Sequence, residues 1–309
     1  MQELNLLKLA KKLINYLRLI PVIEYNQHRI LSEIRRWQME DKILTESTSG
    51  ISDISIFKDR EIVASLTSYG RRLYDIAYTI ESIMRQTLKP NRIILWIDEA
   101  DKNNIPSVLQ KLQNRGLEIR VTPENIRSYK KLYHTLKESP NDIIITFDDD
   151  IIYEYDLIER LVTAYKETPD CICAARCHRV LFSKNGTLKP YNAWEWHYKK
   201  PSISKLNFLT GVGGVLYPPY SLDDEVTNIE AFTSLAPTAD DVWFYCMAIK
   251  KGTKIRKIAT RNLGGDDYVE NYAFHTEGLM QVNTKGKCLN DPQLKAVIDK
   301  YNLMPLLKD

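Results

Sequence analysis

The sequence contains no apolar run that approaches the roughly 18 residues needed to cross a membrane as a helix. We therefore expect a soluble or surface-bound protein. No G-x-G-x-x-G motif follows the first predicted strand, and no G-x-x-x-x-G-K-[ST] motif occurs. These two absences disfavour dinucleotide-dependent oxidoreductases and P-loop enzymes.

Cysteine is scarce as well. The five cysteines are an odd number and no secretory leader is recognised, so we expect reduced thiols in a cytoplasmic protein. Cys171, Cys173 and Cys177 lie just before His178, but this spacing matches no common zinc finger. Small buried core thiols are favoured over a zinc site.

Excess positive charge is missing outside the first 45 residues. Residues 1–45 contain eight Lys or Arg and five Asp or Glu, so this segment carries the whole formal net charge of +3. A groove that follows nucleic-acid phosphates needs clustered positive charge in the folded body. We therefore do not expect nucleic acid as a partner.

The basic segment 1–45 has the pattern of amphipathic helices interrupted at Pro21. One face of its first half is apolar, at Leu6, Leu9, Leu13, Leu17 and Ile20. Such a segment can bind an anionic membrane surface, mediate a homodimer or pack on the body, and these alternatives stay open. The polar stretch 46–59 is interpreted as a linker.

From residue 60 onward, strand and helix patterns alternate. Strands are predicted at 62–66, 92–97, 117–121 and 143–147, the first, second and fourth of them almost continuously apolar, and each is followed by an amphipathic helix. This order predicts an α/β fold with a mostly parallel, Rossmann-like sheet. Ligands bind such sheets outside the carboxyl ends of the strands.

Three carboxylates end the fourth predicted strand. Asp148, Asp149 and Asp150 follow an isoleucine-rich run, and adjacent negative charges persist more readily where a cation compensates them. Carboxylate oxygens favour Mg2+ or Mn2+, whose remaining ligands are often phosphate oxygens of a substrate. The triplet predicts a metal–diphosphate site; a solvated acidic turn or a helix N-cap is the alternative.

Further polar groups lie in the second half of the chain. Glycines interrupt an apolar segment at 207–217, which indicates a bulge or a closely approached backbone. A helix is predicted to begin at Asp240 and Asp241. Thr238 with Asp241 also fits a capping box, in which Asp241 would be structural.

The motifs together resemble bacterial glycosyltransferases of the GT-A fold, similar to family 2. The segments that carry the resemblance are Val-Ala-Ser-Leu-Thr-Ser-Tyr at 63–69, Glu-Ser-Ile-Met-Arg-Gln-Thr at 81–87, Ile-Leu-Trp-Ile-Asp at 94–98, the Asp triplet at 148–150, Thr-Gly-Val-Gly-Gly at 210–214 and Thr-Ala-Asp-Asp at 238–241. The resemblance implies a GT-A catalytic domain at 60–260 and a C-terminal segment at 261–309 that closes the active site.

The resemblance also implies roles for individual residues. Donor and nucleotide contacts are expected from Thr67, Ser68, Tyr69, Arg71, Asp98, Arg127, Lys130, Asp148, Asp149, Gly211, Gly213 and Gly214. Asp150 and Asp148 are expected to bind Mn2+ or Mg2+, with His275 as a further candidate ligand. Asp241 is expected to be the catalytic base, with Asp240 as the alternative, and Trp194 and Trp196 are candidate acceptor contacts.

The function implied is metal-dependent, inverting transfer of a sugar from a nucleoside diphosphate sugar, with uridine diphosphate preferred by family frequency. The expected acceptor is a saccharide or glycolipid of bacterial surface polysaccharide synthesis, handled in the cytoplasm or at the inner face of the cell membrane. Two alternatives stay open. One is a haloacid-dehalogenase-type phosphatase using Asp148 and Asp150; the other is a non-catalytic interaction protein.

Overall fold

The computed structural model describes residues 26–261, 268–271, 283 and 288–307. Its helices are α1 at 26–45, α2 Ile76–Met84, α3 Ser107–Gln113, α4 Lys130–Glu138, α5 Leu157–Glu167, α6 Ile229–Leu235, α7 Asp240–Lys251 and α8 Asn290–Tyr301. Its strands are β1 Ile62–Thr67, β2 Arg92–Asp98, β3 Leu117–Thr122, β4 Ile143–Thr146, β5 Ile151–Tyr153, β6 Ile172–Ala174, β7 Cys177–Arg179, β8 Ser202–Ser204, β9 Asn207–Leu209, β10 Val215–Tyr217, β11 Ile255–Lys257 and β12 Tyr268–Glu270.

The central sheet has the strand order β3-β2-β1-β4-β10-β6-β11-β8. Its first half, β3-β2-β1-β4, is parallel throughout, which confirms the predicted parallel sheet. Strand β10 runs antiparallel to both β4 and β6, so the second half is mixed. The carboxyl ends of β1, β2 and β4 therefore meet at one edge, where the acid triplet follows β4.

The segments 171–180 and 207–217 each form two short strands that belong to different sheets. The segment 171–180 forms β6 in the central sheet and β7, which pairs with β9 in a separate small sheet. The segment 207–217 forms β9 and β10 around a turn. A Cβ atom at Gly213 would lie 2.5 Å from the Cβ of Arg176, and Gly214 has a φ of +84°. The turn between β9 and β10 passes so close to Arg176, between β6 and β7, that position 213 requires glycine, and the positive φ favours glycine at position 214.

Apolar side chains cover both faces of the central sheet. One cluster includes α4, α7 and α8, and the other includes α2, α3 and α5. All five cysteines are buried thiols, and burial raises the pKa of Cys173 and Cys177 to about 12. Protonated thiols at these positions behave as small apolar groups, as the sequence predicts.

Helix α1 packs along α2 on one face of the body. Ile43 belongs to the core cluster that contains α2. Arg36 donates hydrogen bonds from Nη1 to Asp75 Oδ1 at 2.8 Å and to Asn271 Oδ1 at 2.7 Å. No helix in the described ranges is long and apolar enough to cross a membrane.

The segment interpreted as a linker also contacts the body. The N–H of Gly50 donates to the carbonyl of Arg115 at 2.8 Å. Arg115 in turn donates from Nε to the carbonyl of Thr48 at 3.0 Å and from Nη1 to the buried carboxylate of Glu81 at 2.6 Å. Backbone hydrogen bonds therefore join the stretch 46–59 to the sheet domain.

Candidate active site

The loops after β1, β2 and β4 converge at one edge of the sheet. From the loop after β1, Ser68 donates to Asp149 in the loop after β4 at 2.6 Å. Lys130 and Lys131 begin α4 and pair with Asp98 at the end of β2 and with Asp148 after β4. The structure thus brings the predicted carboxylates together and places cations between them.

Asp149 is held by the loop after β1. Arg72 donates from Nε to Asp149 Oδ2 at 2.8 Å and from Nη2 to Oδ1, a bidentate pair. Burial lowers the pKa of Arg72, but the hydrogen bond and charge of Asp149 outweigh it and raise the pKa. Asp149 therefore fixes the loop after β1. Arg72 is a site residue that the sequence did not predict, since the resemblance named its neighbour Arg71.

Asp150 is the most accessible member of the triplet. Its side chain is 36% exposed, and its Oδ2 lies 2.9 Å from Nη2 of Arg72. Burial and the charge of Asp149 raise the pKa of Asp150 to about 6. Its carbonyl accepts the N–H of Asn271 at 2.7 Å. The Asp150 carboxylate is thus available to a ligand while its backbone is fixed.

Asp148 faces a different cation. Lys131 donates from Nζ to Asp148 Oδ1 at 2.6 Å, and the N–H of Asp148 donates to the hydroxyl of Tyr153 at 2.9 Å. Burial lowers the pKa of Lys131, but the charges of Asp148 and the acidic pair at 240–241 outweigh it, so this pKa lies well above its usual value. Lys131 is therefore a charged ammonium in the centre of the site.

The acidic pair at the start of α7 points in two directions. Asp240 is buried, with Oδ2 3.0 Å from Lys131 Nζ. Asp241 is partly exposed, and its Oδ1 accepts the N–H of Gly211 at 2.9 Å. Burial and the charge of Asp240 raise the pKa of Asp241 to about 8.

The capping-box alternative for Asp241 is wrong. The N-cap of α7 is Ala239, which offers no side-chain cap. Thr238 instead engages the C-terminal part of the chain, because its hydroxyl donates to Asn283 Oδ1 at 2.7 Å and its N–H donates to Gln293 Oε1 at 3.0 Å. Asp241 is therefore free of the structural role that the sequence pattern offered it.

The remaining predicted donor residues lie around this edge. Thr67 donates from its hydroxyl to the carbonyl of Trp96 at 2.8 Å. Tyr69 and Arg71 are exposed beside it. Arg127 is exposed and has a φ of +55°, a strained conformation for a residue with a side chain. Lys130 is buried with its Nζ 2.6 Å from Asp98 Oδ1, so these two act as a pair.

The glycine turn after β9 contacts a further cation, Arg176. Arg176 donates from Nη1 to the hydroxyl of Thr210 at 3.0 Å, and its Nη2 lies 2.8 Å from His197 Nε2. Gly211 and Gly213 are buried in this turn, between the acidic pair of α7 and Arg176. The turn thus lies beside the acid triplet, as the resemblance implies.

The two candidate acceptor residues are less accessible than expected. Trp194 is only 5% exposed and its indole N–H donates to the carbonyl of Lys189 at 2.9 Å. Such burial argues against a stacking role for Trp194. Trp196 is partly buried and stacks on His178, with ring centroids 4.7 Å apart; its role as an acceptor contact stays a prediction. His275 lies outside the described residues.

The carboxylates present fit a divalent metal by charge and by chemistry. Among the described residues, three cations, Arg72, Lys130 and Lys131, form ion pairs with five carboxylates of the site, and the sixth, Asp241, accepts a backbone N–H. The five paired carboxylates are those of Asp98, Asp148, Asp149, Asp150 and Asp240. The excess is negative, and all these ligands are hard oxygens. Within the described ranges, no group of three or more His, Cys, Asp or Glu side chains is arranged to hold a metal ion. Phosphate oxygens of the substrate would therefore have to complete the coordination of a bound metal.

The chain is similar to known proteins in one family profile and among solved structures. The sequence profile of glycosyl transferase family 2 matches residues 66–222, which span more than half of the chain. Among solved structures, CMP:2-keto-3-deoxy-manno-octonic acid synthetase complexed with CTP is similar at 15% identity, with a TM-score of 0.39. That alignment covers 65% of this chain and 90% of that one. No curated protein matches the sequence significantly.

Proposed function

This chain belongs to glycosyl transferase family 2 and has the GT-A fold, and from that premise we propose that it transfers a hexose from a nucleoside diphosphate sugar to a hydroxyl group. The observation that carries the proposal is the carboxylate cluster at the carboxyl edge of the sheet, where Asp148 and Asp241 lie around Gly211 and Lys131, and the neighbouring Asp150 pairs with Arg72. Family membership disfavours the phosphatase and the non-catalytic alternatives.

The donor would occupy the loops after β1, β2 and β4. Asp98, fixed by Lys130, would face the base of the nucleotide, and Thr67, Ser68 and Tyr69 would line its pocket. Uridine diphosphate is the preferred nucleotide. Asp150 and Asp148 would hold Mn2+ or Mg2+, which when bound would neutralise the charge that builds on the leaving diphosphate.

The reaction we propose is a single displacement. The acceptor oxygen bonds to the anomeric carbon of the sugar, while the bond from that carbon to the diphosphate oxygen breaks. Asp241 takes the hydroxyl proton, and the nucleoside diphosphate leaves with the electron pair. A pKa of about 8 places Asp241 near the pH at which a general base is most effective.

The acceptor would be a saccharide or glycolipid of surface polysaccharide synthesis. The outward face of α1 supports a location at the inner face of the membrane, because Ile30, Ile34, Leu44 and Trp37, which is 74% exposed, lie on it without burial. A homodimer through residues 1–45 would cover the same face. Sedimentation with anionic liposomes, compared between the native protein and Trp37→Ser, separates the two.

A thermal-shift panel of nucleoside diphosphates, with and without Mn2+, tests the proposal. A ligand present at a hundredfold excess over its Kd stabilises the folded state by about 2.7 kcal/mol. We expect one nucleoside diphosphate with Mn2+ to raise the Tm, and Asp150→Ala to remove the contribution of the metal. Equal shifts in native protein and variant would exclude Asp150 from the site, and no shift with any nucleotide would contradict the proposed function.

A further inference from the structure

Lys131 occupies the centre of the carboxylate cluster. Its side chain is 6% exposed, and its Nζ lies 2.6 Å from Asp148 Oδ1 and 3.0 Å from Asp240 Oδ2. The ammonium therefore joins the triplet after β4 to the acidic pair that begins α7. These two elements are separated by about ninety residues of sequence.

Three charged groups lie close to the backbone of Gly211. A Cβ atom at Gly211 would lie 2.8 Å from Lys131 Nζ, 3.1 Å from Asp241 Oδ1 and 3.2 Å from Asp148 Oδ1. A side chain at this position would therefore displace at least one of the three groups. Glycine here lets the ammonium and both carboxylates approach the same stretch of backbone.

The contacts of Lys131 divide the acidic pair. Asp240 is buried beside the ammonium, which compensates its charge. Asp241 is partly exposed and accepts the N–H of Gly211 instead. Asp240 therefore forms an internal ion pair, whereas the partly exposed Asp241 lies at the glycine turn.

We propose that Lys131 is a positioning residue of the transfer site: its ammonium fixes Asp148 and Asp240, so that Asp241 is the carboxylate left to accept the proton of the acceptor hydroxyl. This inference rests on the proposed function. Lys131 acts through the carboxylates and does not contact the donor. Removing it would release Asp148 and Asp240 from their fixed positions and place an uncompensated negative charge next to Asp241.

A double-mutant cycle tests the contact without any need for activity. In urea unfolding, Lys131→Met is expected to lower the midpoint, and Lys131→Met with Asp240→Asn is expected to unfold at a higher midpoint than Lys131→Met alone, because the stranded buried charge is gone. Lys137→Met, at an exposed position of the same helix where the ammonium contacts Tyr133, is the matched control and should lower the midpoint much less than Lys131→Met. If Lys131→Met does not fold, recovery of folding in the double variant is the supporting result. Strictly additive effects would overturn the proposal.

Turnover separates positioning from donor binding. We expect Lys131→Met to lower kcat at least tenfold, while its affinity for the nucleoside diphosphate measured without Mn2+ changes less than threefold. A variant with native kcat and much weaker nucleotide binding would show that Lys131 is a diphosphate ligand, which overturns the proposal. Failure of the proposed function itself would be visible in the native protein, as absence of sugar transfer from every donor, while the urea cycle still reports on the contact.

Discussion

Oδ1 of Asp241 accepts the backbone N–H of Gly211 at 2.9 Å. This hydrogen bond joins the first turn of α7 to the glycine turn between β9 and β10. The carboxylate is therefore oriented by backbone rather than by a long, flexible side chain. A base held in this way keeps its position when the acceptor enters, which favours proton transfer.

Gly211→Ala should disturb three charged groups at once. The added methyl group would meet Lys131 Nζ at 2.8 Å and the carboxylates of Asp241 and Asp148 at slightly more than 3 Å. Displacements of this kind can reduce turnover by about 10 to 10², and overpacking costs about 1–3 kcal/mol. Gly186→Ala is the control: its φ of +80° makes alanine strained, but no neighbour lies within 4 Å. That variant should lose stability and keep its turnover.

Asp241→Asn should abolish most of the turnover while leaving donor affinity nearly native. Removing a general base typically costs about 10²–10⁴ in rate. Asp240→Asn should cost less in rate but should reduce stability, since it leaves the buried Lys131 with one fewer partner. Steady-state kinetics and urea unfolding on both variants check the assignment. If Asp240→Asn is the inactive variant, the roles of the two carboxylates are reversed.

Neighbouring residues limit how far the site can be predicted from sequence. The parallel half of the sheet, the acid triplet and the glycine turn followed from hydrophobic patterns and motif order. The cations followed only in part: of the two lysines at the start of α4 the resemblance named Lys130 and not Lys131, and side chains one residue apart on a helix point about 100° apart. Only the packing of α4 against β2 and β4 decides that Lys130 meets Asp98 and Lys131 meets Asp148.

The direction of adjacent side chains also explains why the sequence did not identify Arg72 as a site residue. Arg71 and Arg72 are identical in type and adjacent in a short 3-10 turn, so composition cannot tell which one turns inward. The predicted capping box of Thr238 and Asp241 was wrong for a related reason. Its residue spacing was present, but Thr238 and Asp241 found stronger partners in Gln293 and Gly211, which lie far away in sequence.

Arg72→Met should therefore lower stability, whereas Arg71→Met should leave stability nearly unchanged. Arg72 holds the partly buried Asp149 by a bidentate ion pair, and hydrogen bonds to charged groups contribute about 1.5–3 kcal/mol, so its loss should lower stability by about that amount. Arg71 is exposed, and an exposed substitution usually changes stability by less than about 0.5 kcal/mol. Its loss should instead weaken donor binding if it contacts the nucleotide. Urea unfolding with nucleotide titration checks both; equal stability of the two variants would contradict the assignment.

His178 should make stability depend on pH. Burial lowers its pKa to about 2, and the neighbouring Arg176 and His197 lower it further. The unfolded chain, with the ordinary pKa of 6.5, takes up a proton below that pH while the folded chain does not. Stability is therefore retained above pH 6.5 and lost as the pH falls, by at most about 1.4 kcal/mol per pH unit from this group.

A comparison of the native protein with His178→Gln isolates this contribution. The glutamine variant should be less stable at pH 7.5, because its ring contact with Trp196 is lost, but its stability should fall less between pH 7.5 and pH 5.5. Urea unfolding at the two pH values gives the difference. Identical losses in the two proteins would assign the pH dependence to other groups.

Arg36 connects α1 to the triplet and should affect both stability and donor binding. Its guanidinium donates to Asp75 and to Asn271, and the N–H of Asn271 in turn donates to the carbonyl of Asp150. Hydrogen bonds to charged groups contribute about 1.5–3 kcal/mol. We expect Arg36→Met to lower the free energy of unfolding by about that amount and to weaken binding of a nucleoside diphosphate with Mn2+, because the backbone of Asp150 loses part of its support. Ile34→Ser, on the outward face of the same helix, should leave both quantities unchanged. If Arg36→Met alters stability but not metal-dependent binding, α1 supports the body without influencing the active site. If Ile34→Ser behaves like Arg36→Met, the effect belongs to the helix as a whole rather than to the connection through Asn271.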